Sequence, residues 1–202
     1  MLLRRLNIRS AIERHSKEDL RQCREAYLQM RAIMEREPAM RVREFDELID
    51  AEIFILVKTV GNDGGMPEIA GFSASLPTAV PGRYEAGMSA VDSAYRGCGY
   101  GLTLTGVRTW ARILDENKKP ECIFSKVKSD NARSRKNLET LQFLHIGTQE
   151  GKEIYELTEE RFLNFAKAWQ SICMRGVPFT PTTSKLEWLC DPSMVAGIIE
   201  GW

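Results

Sequence analysis

The chain has 202 residues, of which 43% are hydrophobic and 28% charged, and its 28 lysines and arginines balance 28 aspartates and glutamates. That length predicts one compact domain with room for an appended segment, and the composition excludes disordered and collagen-like chains. Zero net charge removes any whole-molecule field that would hold the protein on nucleic acid or an anionic membrane, so such binding has to be local.

The opening stretch MLLRRLNIRSA has no apolar signal core, and the longest strictly apolar run, Ile53 to Val57, is far too short to span a bilayer. A cytoplasmic protein with no membrane role is the expectation. Cys23, Cys98, Cys122, Cys173 and Cys190 nowhere form C-x-x-C, which predicts reduced thiols and neither a disulfide framework nor a metal site.

In chain order, Leu6 to Ile12 alternates apolar and polar residues as a strand does. Ser16, three residues ahead of Asp19, reads as the cap of a helix whose stripe Leu20, Cys23, Tyr27, Met30 and Met34 ends before Pro38. Residues 44–52 carry Glu44, Asp46, Glu47, Asp50 and Glu52 and no base, and predict a short surface helix or turn. Then the period changes to that of strands. Glu52 to Val60, hairpin chemistry at Gly61-Asn62-Asp63-Gly64-Gly65, Glu68 to Leu76 and Arg83 to Asp92 read as an antiparallel meander.

Helical spacing returns at Leu104, Val107, Trp110, Ala111 and Leu114, and Lys118-Lys119-Pro120 stops that run. Glu121 to Lys128 is the next strand. Asp130 or Asn131 caps a helix to about Leu141, and Phe143 to Thr148 and Lys152 to Leu157 complete a hairpin. A strand–helix–strand step beside a meander predicts a mixed sheet flanked by helices. Beyond it, Thr158 caps a helix with the apolar face Phe162, Phe165, Ala166, Trp169, Ile172 and Cys173, and a last segment runs from Leu186 to Trp202. Trp169, Trp188 and Trp202 must bury against this core or against a second copy of the chain.

The chemistry concentrates at Ser89 to Leu102, where a strand passes through a glycine-rich turn into a helix. Such a junction points several free N–H groups at one spot and adds the positive end of the helix dipole, which favours an anion such as a pyrophosphate. A Walker loop needs Lys and Ser or Thr after its last glycine, but Leu102 and Thr103 follow Gly101; a dinucleotide fingerprint from Gly97 needs glycine at position 102. Both fail.

Arg96-Gly97-Cys98-Gly99-Tyr100-Gly101 does resemble the acetyl-CoA motif R/Q-x-x-G-x-G/A of the GNAT superfamily of N-acetyltransferases, and Val91, Tyr95, Arg96 and Gly97 match its upstream portion, with Ser93 where proline is usual. Asn131-Ala132-Arg133-Ser134 and Leu141-Gln142-Phe143 extend the resemblance, which covers about residues 5 to 157. It implies an α/β (α+β) fold with a mixed, mainly antiparallel, splayed sheet over residues 1–157. Residues 158–202 would form a C-terminal helical extension that packs on the domain or on a second subunit as a homodimer.

The resemblance further implies acetyl-CoA as cosubstrate. Ala90, Val91 and Ser93 would offer main-chain groups to the pantetheine and thioester, Arg96 and the amides of Gly97, Cys98, Gly99, Tyr100 and Gly101 would hold the pyrophosphate, and Asn131 and Ser134 would line the other wall. An amine of a small molecule or protein would attack the thioester directly, with no metal. Glu85 is the first candidate base, sharing a strand face with Gly87, Ser89 and Val91 if alternation holds, and Glu68 is the second. The family's usual acid, a tyrosine seven residues after the motif asparagine, is replaced by Leu138, which leaves Tyr155, Ser134 or His145 as donors to the departing sulfur, or a thiolate that leaves with help from water, or a site that is not catalytic. His145, on a short apolar strand, reads more readily as a hydrogen-bonded core residue than as a catalyst. The acids of residues 44–52 suit a cationic acceptor or a plain solvated face. Lys126, Lys128, Arg133, Arg135 and Lys136 suit the 3′-phosphate of CoA or an RNA. A CoA-binding sensor without turnover and an acyltransferase on aminoacyl-tRNA are the competing readings.

Overall fold

The computed structural model of the chain describes residues 1–37, 40–58, 68–115 and 119–200. The hairpin glycines 61–65, Pro38, Lys118 and Trp202 lie outside them. The first strand is β1 (Leu2–Leu6), and α1 (Ile8–Glu13) follows at once, where strand alternation was expected through Ile12. Asn7 decides the difference: its side chain accepts the amide of Ser10 as an N-cap, and Ile8 and Ala11, one helical step apart, are the residues buried. In α2 (Lys17–Glu35), Ser16 accepts the amide of Asp19, and Cys23, Tyr27, Met30 and Met34 are buried as their spacing requires.

The meander is β2 (Glu52–Val57), β3 (Ile69–Pro77) and β4 (Arg83–Val91), antiparallel throughout. Helix α3 (Tyr100–Ile113) leads to β5 (Cys122–Lys128), α4 (Ala132–Thr140) to the hairpin β6 (Leu144–Gln149) and β7 (Lys152–Thr158). Asn131 caps α4 by accepting the amide of Ser134. Thr158 makes no side-chain cap; a 3-10 turn, Glu159–Arg161, intervenes before α5 (Phe162–Met174). The tail is not purely helical, because β8 (Thr180–Pro181) pairs in parallel with β1 ahead of α6 (Ser184–Cys190) and α7 (Pro192–Glu200). The sheet order is β6-β7-β5-β4-β3-β2-β1-β8, parallel only at β4/β5 and β1/β8.

Two apolar layers cover the sheet. One face of β2 and β3, with Ile53, Ile55, Phe72 and Ala74, packs with Met88 of β4 on α1 and α2. The other, with Phe54, Leu56 and Ala70, packs on α3, α4 and the tail helices. Trp169 of α5 is fully buried against Gly106 of α3, whose missing side chain makes the contact: a Cβ there would stand 2.2 Å from Cζ3 of the Trp169 ring. Gly106→Ala is therefore expected to destabilise the fold by about 1–3 kcal/mol through overpacking. A melting temperature equal to wild type would refute this.

The acidic segment is less superficial than its composition suggests. Leu48, Ala51 and Glu52 are buried, and the Glu52 carboxylate lies between Arg5 at 2.6 Å and Arg112 at 3.1 Å. Arg112 also holds Asp115 at 3.0 Å and stacks on the Tyr84 ring, 4.3 Å from its centroid. A cleft of about 610 Å3, bordered by Arg4, Asp115, Thr182 and Trp188, opens at this C-terminal end of α3. It is about 20 Å from the glycine loop at the other end of that helix.

Candidate active site

The pairing of β3 with β4 puts Ala74 opposite Met88 but Leu76 opposite Glu85, so β4 carries one surplus residue at Ala86–Gly87. This bulge corrects the expected alternation. Glu85 lies on the α2 face with Met88 and Ala90, while Ser89 and Val91 turn to the α3 face. Beside the bulge, β4 and β5 come apart. Their parallel pairing covers only Arg83, Tyr84 and Glu85 against Cys122, Ile123 and Phe124. Ser125 Oγ donates to the Ala86 carbonyl at 3.0 Å, and from there to Val91 the ladder between the strands is open.

Which backbone groups face that gap follows from the other edge. Asp92 donates its amide to Ala70 of β3 at 2.9 Å, so alternation turns the amides of Ser89 and Val91 away from β3 and toward the gap. Asp92 then caps a 3-10 turn, Ser93–Tyr95, and the chain enters the glycine loop. Gly97 and Gly99 take φ of +90° and +80°, the left-handed region that glycine enters without steric penalty, and a Cβ on either would meet nothing within 4 Å. The first ladder bond of α3 runs from Thr103 to the Gly99 carbonyl at 3.1 Å, which leaves the amides of Tyr100, Gly101 and Leu102 ahead of the ladder. Three free amides at a helix N-terminus, beside two glycines with open space around them, are an arrangement that favours an anion.

Several expected site residues stand elsewhere or are already engaged. Arg96 folds back, its Nε donating to the Val91 carbonyl at 3.3 Å and its guanidinium pairing with Glu37. Cys98 is exposed in the loop. Asn131 and the Ser134 amide are joined to each other in the cap of α4. Asn137, which the motif reading missed, comes closest to the loop, its amide nitrogen 3.4 Å from a Cβ built on Gly101. It lies one helical step beyond Ser134, so projecting the helix from its cap would have found it.

Glu85 is half-buried and accepts from Arg43 Nη2 at 3.3 Å. Glu68 lies beside Lys58 and accepts from the Tyr95 hydroxyl at 3.2 Å. Three acids of residues 44–52 are met at the surface by arginines: Glu44 by Arg31 at 3.2 Å, Glu47 by Arg41 at 2.8 Å, and Asp50 by Arg9. They present a neutralised surface. Lys126, Lys128, Arg133 and Lys136 are exposed along β5 and α4, with Arg135 half-buried among them.

His145 is no core residue. It is exposed on the edge strand β6 and bonds through Nε2 to Glu153 at 2.7 Å. Hydrogen bonds from Ser129 and Thr148, with that of His145, hold the Glu153 carboxylate down at about 2. Tyr155 is buried under α4, and its hydroxyl donates to Glu139 at 2.8 Å. Burial, reinforced by Glu139, pushes the phenol up to about 12. Because the folded value lies above the ordinary 10, the stability gained from the neutral phenol is complete below pH 10 and lost as pH rises toward 12. Ultraviolet titration is expected to show Tyr155 ionising after an ordinary tyrosine, a difference read against Tyr155→Phe; a Tyr155 signal centred near pH 10 would overturn it.

No family model and no curated protein matches the chain by sequence. Solved structures do match by shape. An N-acetyltransferase from Staphylococcus aureus Mu50 is 20% identical, with a TM-score of 0.52 over 66% of this chain and 93% of that one. The ribosomal-protein-S5-alanine acetyltransferase from Vibrio fischeri is 15% identical, with a TM-score of 0.52 over 78% of this chain and 92% of that one. NAA60 from Arabidopsis thaliana, solved in complex with a bisubstrate analogue, is 12% identical, with a TM-score of 0.54 over 66% of this chain and 92% of that one. What is shared is the fold: this chain has the GNAT acetyltransferase fold. Among the described residues no helix is long and apolar enough to cross a membrane.

Proposed function

We propose that the protein is an N-acetyltransferase that moves the acetyl group of acetyl-CoA to a primary amine of a small molecule or a protein, by direct attack in a ternary complex. The observation that supports this most is the parting of β4 from β5 beside a loop whose amides converge on open space. In this reading the amides from Gly97 to Leu102 hold the pyrophosphate, Ala90, Val91 and Ser93 run along the pantetheine, and α4 from Asn131 to Asn137 forms the opposite wall. Bound there, acetyl-CoA supplies an activated thioester. The inward amide of Val91 stabilises charge on its carbonyl oxygen, and the two reactants held together need no covalent enzyme intermediate.

A lysine-like amine is protonated at neutral pH, with a pKa of about 10.4, and must lose a proton before it attacks. Glu85 takes that proton through water, from the face of β4 opposite Ser89, with Arg43 fixing its position. Glu85→Gln is expected to lower kcat about 100-fold and to change the rise of rate with pH that a general base confers, with CoA affinity unchanged. An unaltered pH–rate profile would dismiss Glu85.

Thiol release from acetyl-CoA across a panel of amines tests the whole reading. Release above the no-amine control supports it. CoA binding without release on any amine would favour a sensor, a reading that Leu138, buried in the core where a tyrosine acid is usual, keeps in play. A steeply salt-dependent affinity for tRNA would favour the aminoacyl-tRNA acyltransferase instead.

A further inference from the structure

Helix α3 carries a charge that the acetyl-transfer scheme leaves unused. Arg108 is 1% exposed, and no salt bridge to it is found among the described residues. Its Nη1 donates to Ser73 Oγ at 2.9 Å and Ser89 Oγ at 3.0 Å, with the Ala74 carbonyl at 3.5 Å. Its Nε and Nη2 have no hydrogen-bond partner among the described residues. Burial lowers this guanidinium to about 9, yet it remains a cation at neutral pH. A buried cation is costly unless neighbouring dipoles answer it, and here two serine hydroxyls do so.

The direction of the serine protons follows from satisfying every donor. The Ser73 and Ser89 oxygens are 2.6 Å apart, so one hydroxyl donates to the other, and each oxygen already accepts from Arg108. If Ser89 were the donor, the proton of fully buried Ser73 would face no acceptor among the described residues, and a buried donor left without a partner is costly. If Ser73 is the donor, both of its needs are met. The Ser89 oxygen then accepts two hydrogen bonds, and its own proton is turned outward. Ser89 is the exposed member of the pair, on the stretch of β4 that β5 leaves unpaired, two residues from the inward amide of Val91.

We infer that the Ser89 hydroxyl is a side-chain hydrogen-bond donor to the thioester carbonyl oxygen of the acyl donor, and that Ser73 and Arg108 are the positioning residues that aim it. This rests on the acetyl-CoA reading above. While the N–C bond forms, Ser89 keeps its proton and strengthens its hydrogen bond to the oxygen, its polarity raised by the cation behind it. When the C–S bond breaks, that hydrogen bond relaxes; the amine's proton leaves through water to the base, and the sulfur takes one from solvent.

The test compares wild type with Ser89→Ala, Ser73→Ala and Ser89→Thr. Ser89→Ala is expected to lower kcat about 100-fold, as loss of one such donor does elsewhere, with CoA affinity by calorimetry within error of wild type and a lowered melting temperature, because Arg108 and the Ser73 proton both lose an acceptor. Ser73→Ala gives a smaller loss because Ser89 is then free to turn, and Ser89→Thr restores most of the rate. Infrared difference spectra with acetyl-CoA carrying 13C at the carbonyl supply a readout independent of turnover: the band moves to higher wavenumber in Ser89→Ala. An unmoved band with kcat within twofold of wild type overturns this inference and leaves the acetyl-CoA reading standing. Wild type that gives no heat with CoA overturns both.

Discussion

Gly99→Asp is expected to abolish acetyl-CoA binding while leaving the protein folded. Gly99 sits at φ +80° as the N-cap of α3, with nothing within 4 Å of an added Cβ, so the side chain has room. The left-handed conformation costs a non-glycine residue about 1–2 kcal/mol, and aspartate is among those that tolerate it best. Its carboxylate would stand where the pyrophosphate charge belongs. Like charges about 4 Å apart repel by about 4 kcal/mol at an effective dielectric of 20, a loss of more than about 100-fold in affinity. Calorimetry on a mutant whose circular dichroism matches wild type is the check. Unchanged affinity would remove the loop from any account of donor binding.

Trp169→Ala carries the largest expected loss of stability, about 3–5 kcal/mol. The ring is fully buried, packs on Gly106, and donates its Nε1–H to the Leu189 carbonyl of α6 at 3.0 Å. Removing it opens a cavity where α3, α5 and α6 meet and orphans that carbonyl. Since a domain of this kind has only about 5–15 kcal/mol in hand, the urea midpoint should fall by about a fifth or more with little change in slope. A shift below about 1 kcal/mol would show that the tail rests on the sheet without supporting it.

What could be read from the sequence, and what could not, divides along the range of the interactions. Ser16 with Asp19 and Asn131 with Ser134 are local bonds, so their spelling located two helix starts. The glycines at 97 and 99 likewise announce a backbone that few other residues adopt. The bulge at Ala86–Gly87 has no such spelling, because it exists only as a mismatch between β4 and β3; alternation read straight through it and put Glu85 on the wrong side. The partners of Arg96, Glu52 and Arg108 come from residues far away in sequence, and no period reports them. With just Thr180 and Pro181, β8 is too short to display any period, and only its place beside β1 makes it a strand.

The surplus residue of β4 also decides how such a chain can change its shape. The bulge absorbs the insertion, so Met88 to Val91 stay in register with β3 although their sequence parity with Glu85 is reversed. Deleting Gly87 would leave Ala86 opposite Ser75, with Met88 still opposite Ala74, so Ser89 and Val91 would keep their face while the strand lost its local kink. One residue gained or lost at this place therefore bends or straightens β4 beside β5 without changing which side chains line the chamber.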